Sequence, residues 1–133
     1  MGSGKTTVGS LLAKQLNFKF LDTDRKLEKI TGASISLIFD IEGEKGFRKR
    51  ENKVVRDLLD VDRTVVATGG GSILDQANRI NLRENSIVIY LRGKIETLIK
   101  RTRTDKNRPL LNTSNPNQTI TELLNERSDF YEE

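Results

Sequence analysis

Gly2-Ser3-Gly4-Lys5-Thr6-Thr7 stands directly ahead of an amphipathic stretch near the start of the sequence. Glycines at this spacing let backbone N–H groups close on oxyanions, and a lysine beside them adds a positive charge. Read this way, Lys5 reaches the β and γ phosphates of a nucleotide and the Thr6 hydroxyl takes Mg²⁺. The helix that follows turns its positive end toward the anion. The six residues match the second half of the phosphate-loop pattern. The glycine that the pattern puts five residues before Gly4 does not occur in this sequence. The competing reading is an ordinary glycine-rich helix start.

Asp22 and Asp24 sit two apart where a strand is expected to end. In extended geometry both carboxylates leave the same side, toward the edge where open α/β sheets bind ligands. One could take a Mg²⁺-bound water and the other a substrate hydroxyl; the alternative is a pair of helix-capping aspartates. Gly69, Gly70 and Gly71 end a second strand at the same edge. Three consecutive glycines carry a high conformational cost, which suggests a backbone that another molecule approaches closely. A flexible turn is the plainer account.

Arg48 and Glu51 lie one helical turn apart, near the apolar stripe of Phe47, Val54, Val55 and Leu58. Charges on an inward face need partners: they pair with each other, or Arg48 grips an anionic group that Glu51 orients. Arg127 repeats the anomaly in the stripe of Ile120, Leu123 and Leu124. Arg108 precedes Pro109 in a stretch poor in apolar residues, where a mobile cation could close over a transferring phosphoryl group.

The elements that must position these groups follow from the pattern. With 133 residues the chain is expected to form a single domain, 1–133. Hydrophobic residues make up 35% and charged residues 32%, a balance that suits a water-exposed globular domain with a modest core. There is no Cys, which excludes disulfides and thiol chemistry, and no His, which removes the commonest general base and metal ligand. Acid–base work falls to carboxylates, lysines or tyrosines. The net charge of +4 is concentrated between Arg92 and Arg108, which hold seven basic residues against two acidic ones. That stretch suits a phosphate-bearing ligand or a solvated helix face.

Helices are expected from Lys5 to Leu16, from Arg25 to Thr31, from near Ser34 with a break at Glu42-Gly43-Glu44, from Asp75 to Glu84, around Ile95 to Ile99, and from Thr119 to Tyr131. Strands are expected at Phe18–Leu21, Thr64–Thr68 and Ile87–Leu91, the last two apolar enough for a parallel sheet covered on both faces. Strands alternating with helices indicate an α/β domain. Pro109, Pro116 and four Asn between Asp105 and Gln118 predict a mobile lid over about 105–118. The longest purely apolar run, Ile87 to Leu91, is far short of the ~20 residues of a membrane span. No signal-peptide pattern opens the sequence. An intracellular location is expected.

GSGKTT, DTD, FRKRE, TGGGS, Arg108-Pro109-Leu110-Leu111 and ERSDFY, in this order and at these intervals, resemble the shikimate kinases over essentially the whole chain. The resemblance implies an α/β P-loop fold of the nucleoside-monophosphate-kinase type, three layers with a parallel sheet. It implies that ATP and Mg²⁺ phosphorylate the 3-hydroxyl of shikimate, on the route to the aromatic amino acids. Carried over by motif, Gly2, Ser3, Gly4, Lys5, Thr6 and Thr7 hold the nucleotide, while Thr6 and Asp22 serve the metal. Asp24 binds the attacking hydroxyl. Arg48 and Arg127 clamp the shikimate carboxylate, Glu51 holds that arrangement, and Gly69, Gly70 and Gly71 lie against the ring hydroxyls. Arg108 is the lid arginine and Arg101 flanks the adenine.

Family members carry a strand ahead of the phosphate loop and a further strand and helix after the last helix. Neither occurs in this sequence, so the sheet is expected to lack its first and last strands. The resemblance also implies a monomer in the cytoplasm, or in a plastid if a transit peptide preceded Met1, with no nucleic-acid or membrane partner. Two alternatives stand beside it: another small-molecule P-loop kinase acting on gluconate or a nucleotide, and an inactive nucleotide-binding or regulatory module. A nucleic-acid binder fits poorly, because the basic stretch has no interleaved aromatics and aromatic residues are 5% of the chain.

Overall fold

The computed structural model describes residues 2–58, 61–103 and 109–133. Helix α1 (Lys5–Leu16) starts from Gly4, whose φ of 89° is a left-handed conformation that glycine adopts without strain. It ends at Asn17, also left-handed. Strand β1 (Lys19–Asp22) runs into α2 (Thr23–Thr31), which Gly32 terminates. Helix α3 (Ile35–Arg56) is capped by the Ser34 hydroxyl, which accepts from Leu37 N–H at 3.2 Å. The break expected at Glu42-Gly43-Glu44 is a kink inside this helix, since Gly43 has φ 67° and ψ −178°.

Strand β2 (Thr64–Ala67) pairs with β1 in parallel, Lys19 opposite Thr64 through Asp22 opposite Ala67. Helices α2 and α3 form the crossover that a parallel pair requires. Both strands therefore end side by side, so the Asp22-Thr23-Asp24 and Thr68–Gly71 turns leave the sheet from one edge. A short 3₁₀ turn (Ser72–Leu74), α4 (Gln76–Asn85), α5 (Ile95–Thr102), a second 3₁₀ turn (Pro109–Leu111) and α6 (Pro116–Glu132) follow.

The core lies between α2, α3 and the inner face of the sheet. Leu27, Ile38, Phe47, Val54 and Leu58 pack together there, with Leu21, Ile35, Phe39 and Val66 against them. Burial of this kind contributes about 25 cal/mol per Å² of apolar surface. On the other side of the sheet α1 comes close enough that a β-carbon at Gly9 would lie 2.9 Å from the Phe20 ring.

Two expectations are corrected. Ile87–Leu91 has the composition of a strand but forms no ladder with any described residue, and Ile87 is 93% exposed. An apolar β-branched run reports that residues suit burial; a strand also needs a neighbour to supply its hydrogen bonds, and among the described residues β1 and β2 pair only with each other. The loop expected over 105–118 is shorter than that on its C-terminal side. Helix α6 starts at Pro116 behind an Asn115 cap, because proline fits the first helical turn, and Leu111 is buried. Residues 104–108, including Arg108, lie outside the described residues. Among the described residues no helix is long and apolar enough to cross a membrane.

Candidate active site

Gly2, Ser3, Gly4, Lys5, Thr6 and Thr7 line one cleft together with Asp22, Asp24, Thr68 and Gly70. The sequence motif at the start of α1 and the two turns at the sheet edge thus meet. Gly2 and Gly4 both have positive φ, 68° and 89°, so the loop curls its backbone around the cleft. A β-carbon on Gly2 would also lie 2.9 Å from Thr102 Cγ2, because α5 packs beneath the loop. Arg101 on α5 donates to the Gly2 carbonyl at 3.4 Å, which sets this cation beside the loop.

The Thr6 hydroxyl donates to Asp22 Oδ2 at 2.8 Å. The other carboxylate oxygen, Oδ1, caps α2 by accepting from the N–H groups of Asp24 and Arg25 at 3.1 and 3.3 Å. Asp22 is therefore both a helix cap and a member of the cleft. The extended geometry expected across Asp22-Thr23-Asp24 is corrected: Thr23 and Asp24 already belong to α2, since the cap turns the chain at once. Both carboxylates still reach the cleft.

A second cluster adjoins the first. Glu51 is 2% exposed and accepts from Arg48 Nη1 at 2.7 Å and from the Ser72 hydroxyl at 2.8 Å. Glu44, on the solvent side, accepts from Arg48 Nη2 at 2.9 Å. Burial works against the Arg48 charge, but the Glu51 and Glu44 carboxylates more than offset it and raise its pKa. Arg127 is buried on α6, and among the described residues its Nε has no hydrogen-bond partner. An unsatisfied buried donor costs about 1–3 kcal/mol, which makes it a position suited to an incoming acceptor.

The glycine turn separates the two clusters, and the chain's own side chains lie close beside it. A β-carbon on Gly69 would lie 2.2 Å from Glu51 Oε1 and 3.1 Å from Asp24 Oδ1. One on Gly71 would lie 2.3 Å from Arg48 Nη1. The chain's own carboxylates and guanidinium occupy that space, so a side chain at either position would have to displace them. Gly70 faces the phosphate-loop cleft.

Several residues that sequence reasoning passed over hold this turn. Thr23, almost fully buried, accepts from the Gly69 N–H at 2.9 Å. Asn78 donates to the Ser72 carbonyl at 3.1 Å and to Asn52 at 2.7 Å. Tyr131 donates to the Gly70 carbonyl at 2.5 Å and stacks on Tyr90. Burial pushes the Tyr131 phenol above the usual 10.0, and the nearby Arg127 and Arg48 charges pull it partly back. Of these, Tyr131 alone left a sequence signal: it stands four residues after Arg127, on the same face of a helix. Among the described residues no group of three or more carboxylates forms a ready metal cage.

A family model described as shikimate kinase matches residues 1–133. The chain is 53% identical over 133 residues to the shikimate kinase of Thiobacillus denitrificans, covering all of this chain and 73% of that protein. It is 49% identical to that of Methylococcus capsulatus, covering all of this chain and 74% of that protein. Among solved structures, a shikimate kinase from Acinetobacter baumannii in complex with shikimate matches with a TM-score of 0.97 and 48% identity, over 99% of this chain and 74% of that one. The shikimate kinase of Aquifex aeolicus matches with a TM-score of 0.85 and 36% identity, over 99% of this chain and 77% of that one.

Proposed function

The chain belongs to the shikimate kinase family, and from that premise we propose that it transfers the γ-phosphoryl group of ATP to the 3-hydroxyl of shikimate. The observation that carries this reading is the glycine turn. Gly70 lines the phosphate-loop cleft, while the neighbouring Gly69 and Gly71 abut the Glu51 and Arg48 side chains. A small acid held by two arginines at this turn presents a hydroxyl to the phosphate end of the cleft.

In this reading the N–H groups of the phosphate loop and Lys5 hold the β and γ phosphates, with Arg101 on the adenine side. Thr6 and Asp22 are the groups that would hold Mg²⁺. They fit it: both offer hard oxygen donors, 2.8 Å apart, and Mg²⁺ commonly takes one or two protein oxygens plus the phosphates. The ion would supply positive charge against the developing negative charge of the phosphate oxygens. Asp24 accepts the hydrogen bond of the attacking hydroxyl and aims it at phosphorus, which suffices for a loose transition state. The oxygen–phosphorus bond to the acceptor forms as the bond to the ADP oxygen breaks, and the acceptor's proton leaves along its hydrogen bond to Asp24. Arg48 and Arg127 hold the shikimate carboxylate, and Glu51 fixes Arg48. Arg108, outside the described residues, stabilises charge on the transferring group as part of the lid. We read the chain as a cytoplasmic monomer whose basic stretch serves the nucleotide rather than a nucleic acid or a membrane.

Turnover of ATP and Mg²⁺ with shikimate, gluconate and nucleoside monophosphates in turn tests the reading. Product with shikimate alone is expected. Preference for gluconate or a nucleotide would replace it with another small-molecule kinase, and ATP binding without turnover of any acceptor would leave a nucleotide-binding module.

A further inference from the structure

We infer that Tyr131 is a positioning residue for the acid-binding arginines, its phenol joining helix α6 to the glycine turn between them and the phosphate cleft. The inference rests on the reading above, in which Arg48 and Arg127 hold the substrate carboxylate. The geometry is specific. A phenol has one hydrogen, and here it goes to the Gly70 carbonyl at 2.5 Å. The oxygen lone pairs are left to face cations, and the Arg127 and Arg48 charges both act on the phenol.

The ring itself is fixed by stacking on Tyr90, centroids 5.1 Å apart and planes 9° from parallel. Arg127 precedes Tyr131 by one helical turn, so a shift of the phenol and a shift of the guanidinium are mechanically coupled. Arg127 Nε, moreover, is buried without a partner among the described residues, so the arginine's orientation depends on what its other nitrogens touch. The hydroxyl thus pins the turn as a donor, on a ring one helical turn from an arginine whose charge acts on it. Burial favours the protonated phenol, which keeps the donor in place.

Tyr131→Phe removes the oxygen and keeps the ring. In the full chain we expect KM for shikimate to rise about fivefold, the scale of one hydrogen bond, with kcat and KM for ATP within about twofold. In an Arg127→Lys background the same change should add less than about twofold, because the effect passes through the arginine. Unchanged KM for shikimate in an active Tyr131→Phe protein overturns the inference and leaves the kinase reading intact. So does a parallel rise in both KM values with a lowered Tm, the mark of a merely structural residue. Fully additive effects in the double variant overturn it as well. If the unaltered chain binds ATP but neither binds nor phosphorylates shikimate, the underlying reading fails first and this inference falls with it.

Discussion

The hydroxyl of Thr6 reaches the carboxylate of Asp22 across 2.8 Å, joining the first turn of α1 to the end of β1. Neither residue is a strong metal ligand alone, but together they present two hard oxygens at the mouth of the phosphate loop. Asp22→Asn keeps the shape and removes the charge, so the Mg²⁺ concentration for half-maximal turnover should rise about 10- to 100-fold. A titration of turnover against Mg²⁺ at saturating ATP measures this; an unshifted midpoint would remove Asp22 from the metal's surroundings. Asp22 also caps α2, and Asn caps a helix about as well as Asp, so Tm should change little in this variant.

Gly71→Ala adds one β-carbon where Arg48 Nη1, Nη2 and Cζ would all lie within 2.5 Å. Arg48 is tied to Glu51 and Glu44 and cannot simply swing away. Overpacking of this sort costs about 1–3 kcal/mol, and the displaced guanidinium should weaken acid binding further. The expected outcome is a lowered Tm together with a raised KM for shikimate. If calorimetry and kinetics leave both at their original values, Gly71 is an ordinary turn residue.

What the sequence made legible was the chemistry, and what it concealed was the packing around it. Lys5, Thr6, Asp22 and Asp24 could be assigned to one edge because phosphate loops and strand ends have short-range signatures. Arg48 and Arg127 were legible as inward charges because each interrupts an apolar stripe. The meaning of Gly69 and Gly71 was not, since the atoms that forbid a β-carbon there come from α3, about 20 residues away along the chain. Ser72, Asn78 and Thr23 are small polar residues whose burial depends wholly on that tertiary contact. Ile87–Leu91 misled for the same reason, since a ladder is a property of two segments and the sequence of one cannot supply the other.

Asp24 should matter for turnover rather than for nucleotide affinity. It lines the cleft from α2, and its Oδ1 lies near Gly69. Asp24→Asn is expected to lower kcat about 100-fold, near the lower end for a positioned acid–base group, with KM for ATP nearly unchanged. A folded variant that turns over at the original rate would show that the acceptor hydroxyl needs no carboxylate.

Tyr131 should leave its mark on alkaline stability. Its folded pKa lies above the ordinary 10.0, first through burial and then through the Tyr90 phenol, opposed by the two arginines. A raised folded value means the native state holds the proton more tightly than the unfolded chain. The associated stability is complete below the unfolded pKa and is lost as pH rises through the folded one. Denaturant midpoints should therefore fall above about pH 10, and they should fall less steeply in Tyr131→Phe. Identical slopes for the two proteins would mean that the phenol titrates alike folded and unfolded.

The exposed run from Ile87 to Ile89 separates composition from structure. These residues are 93%, 61% and 61% exposed, whereas Val55 in α3 is 2% exposed. If exposure governs, Ile87→Lys should change stability by no more than about 0.5 kcal/mol despite replacing a β-branched apolar residue with a charge. Val55→Ala, chemically far milder, should cost about 2 kcal/mol because it leaves a cavity in close-packed surroundings. Hydrogen exchange makes the same distinction without mutation. The amides of Ile87 to Ile89 should exchange quickly, while those of Leu21 and Val65, which point across the β1–β2 pairing, should be protected. Protection at Ile87 to Ile89 in the isolated chain would mean that these residues find a hydrogen-bonding neighbour, and Ile87→Lys would then cost as much as a core substitution.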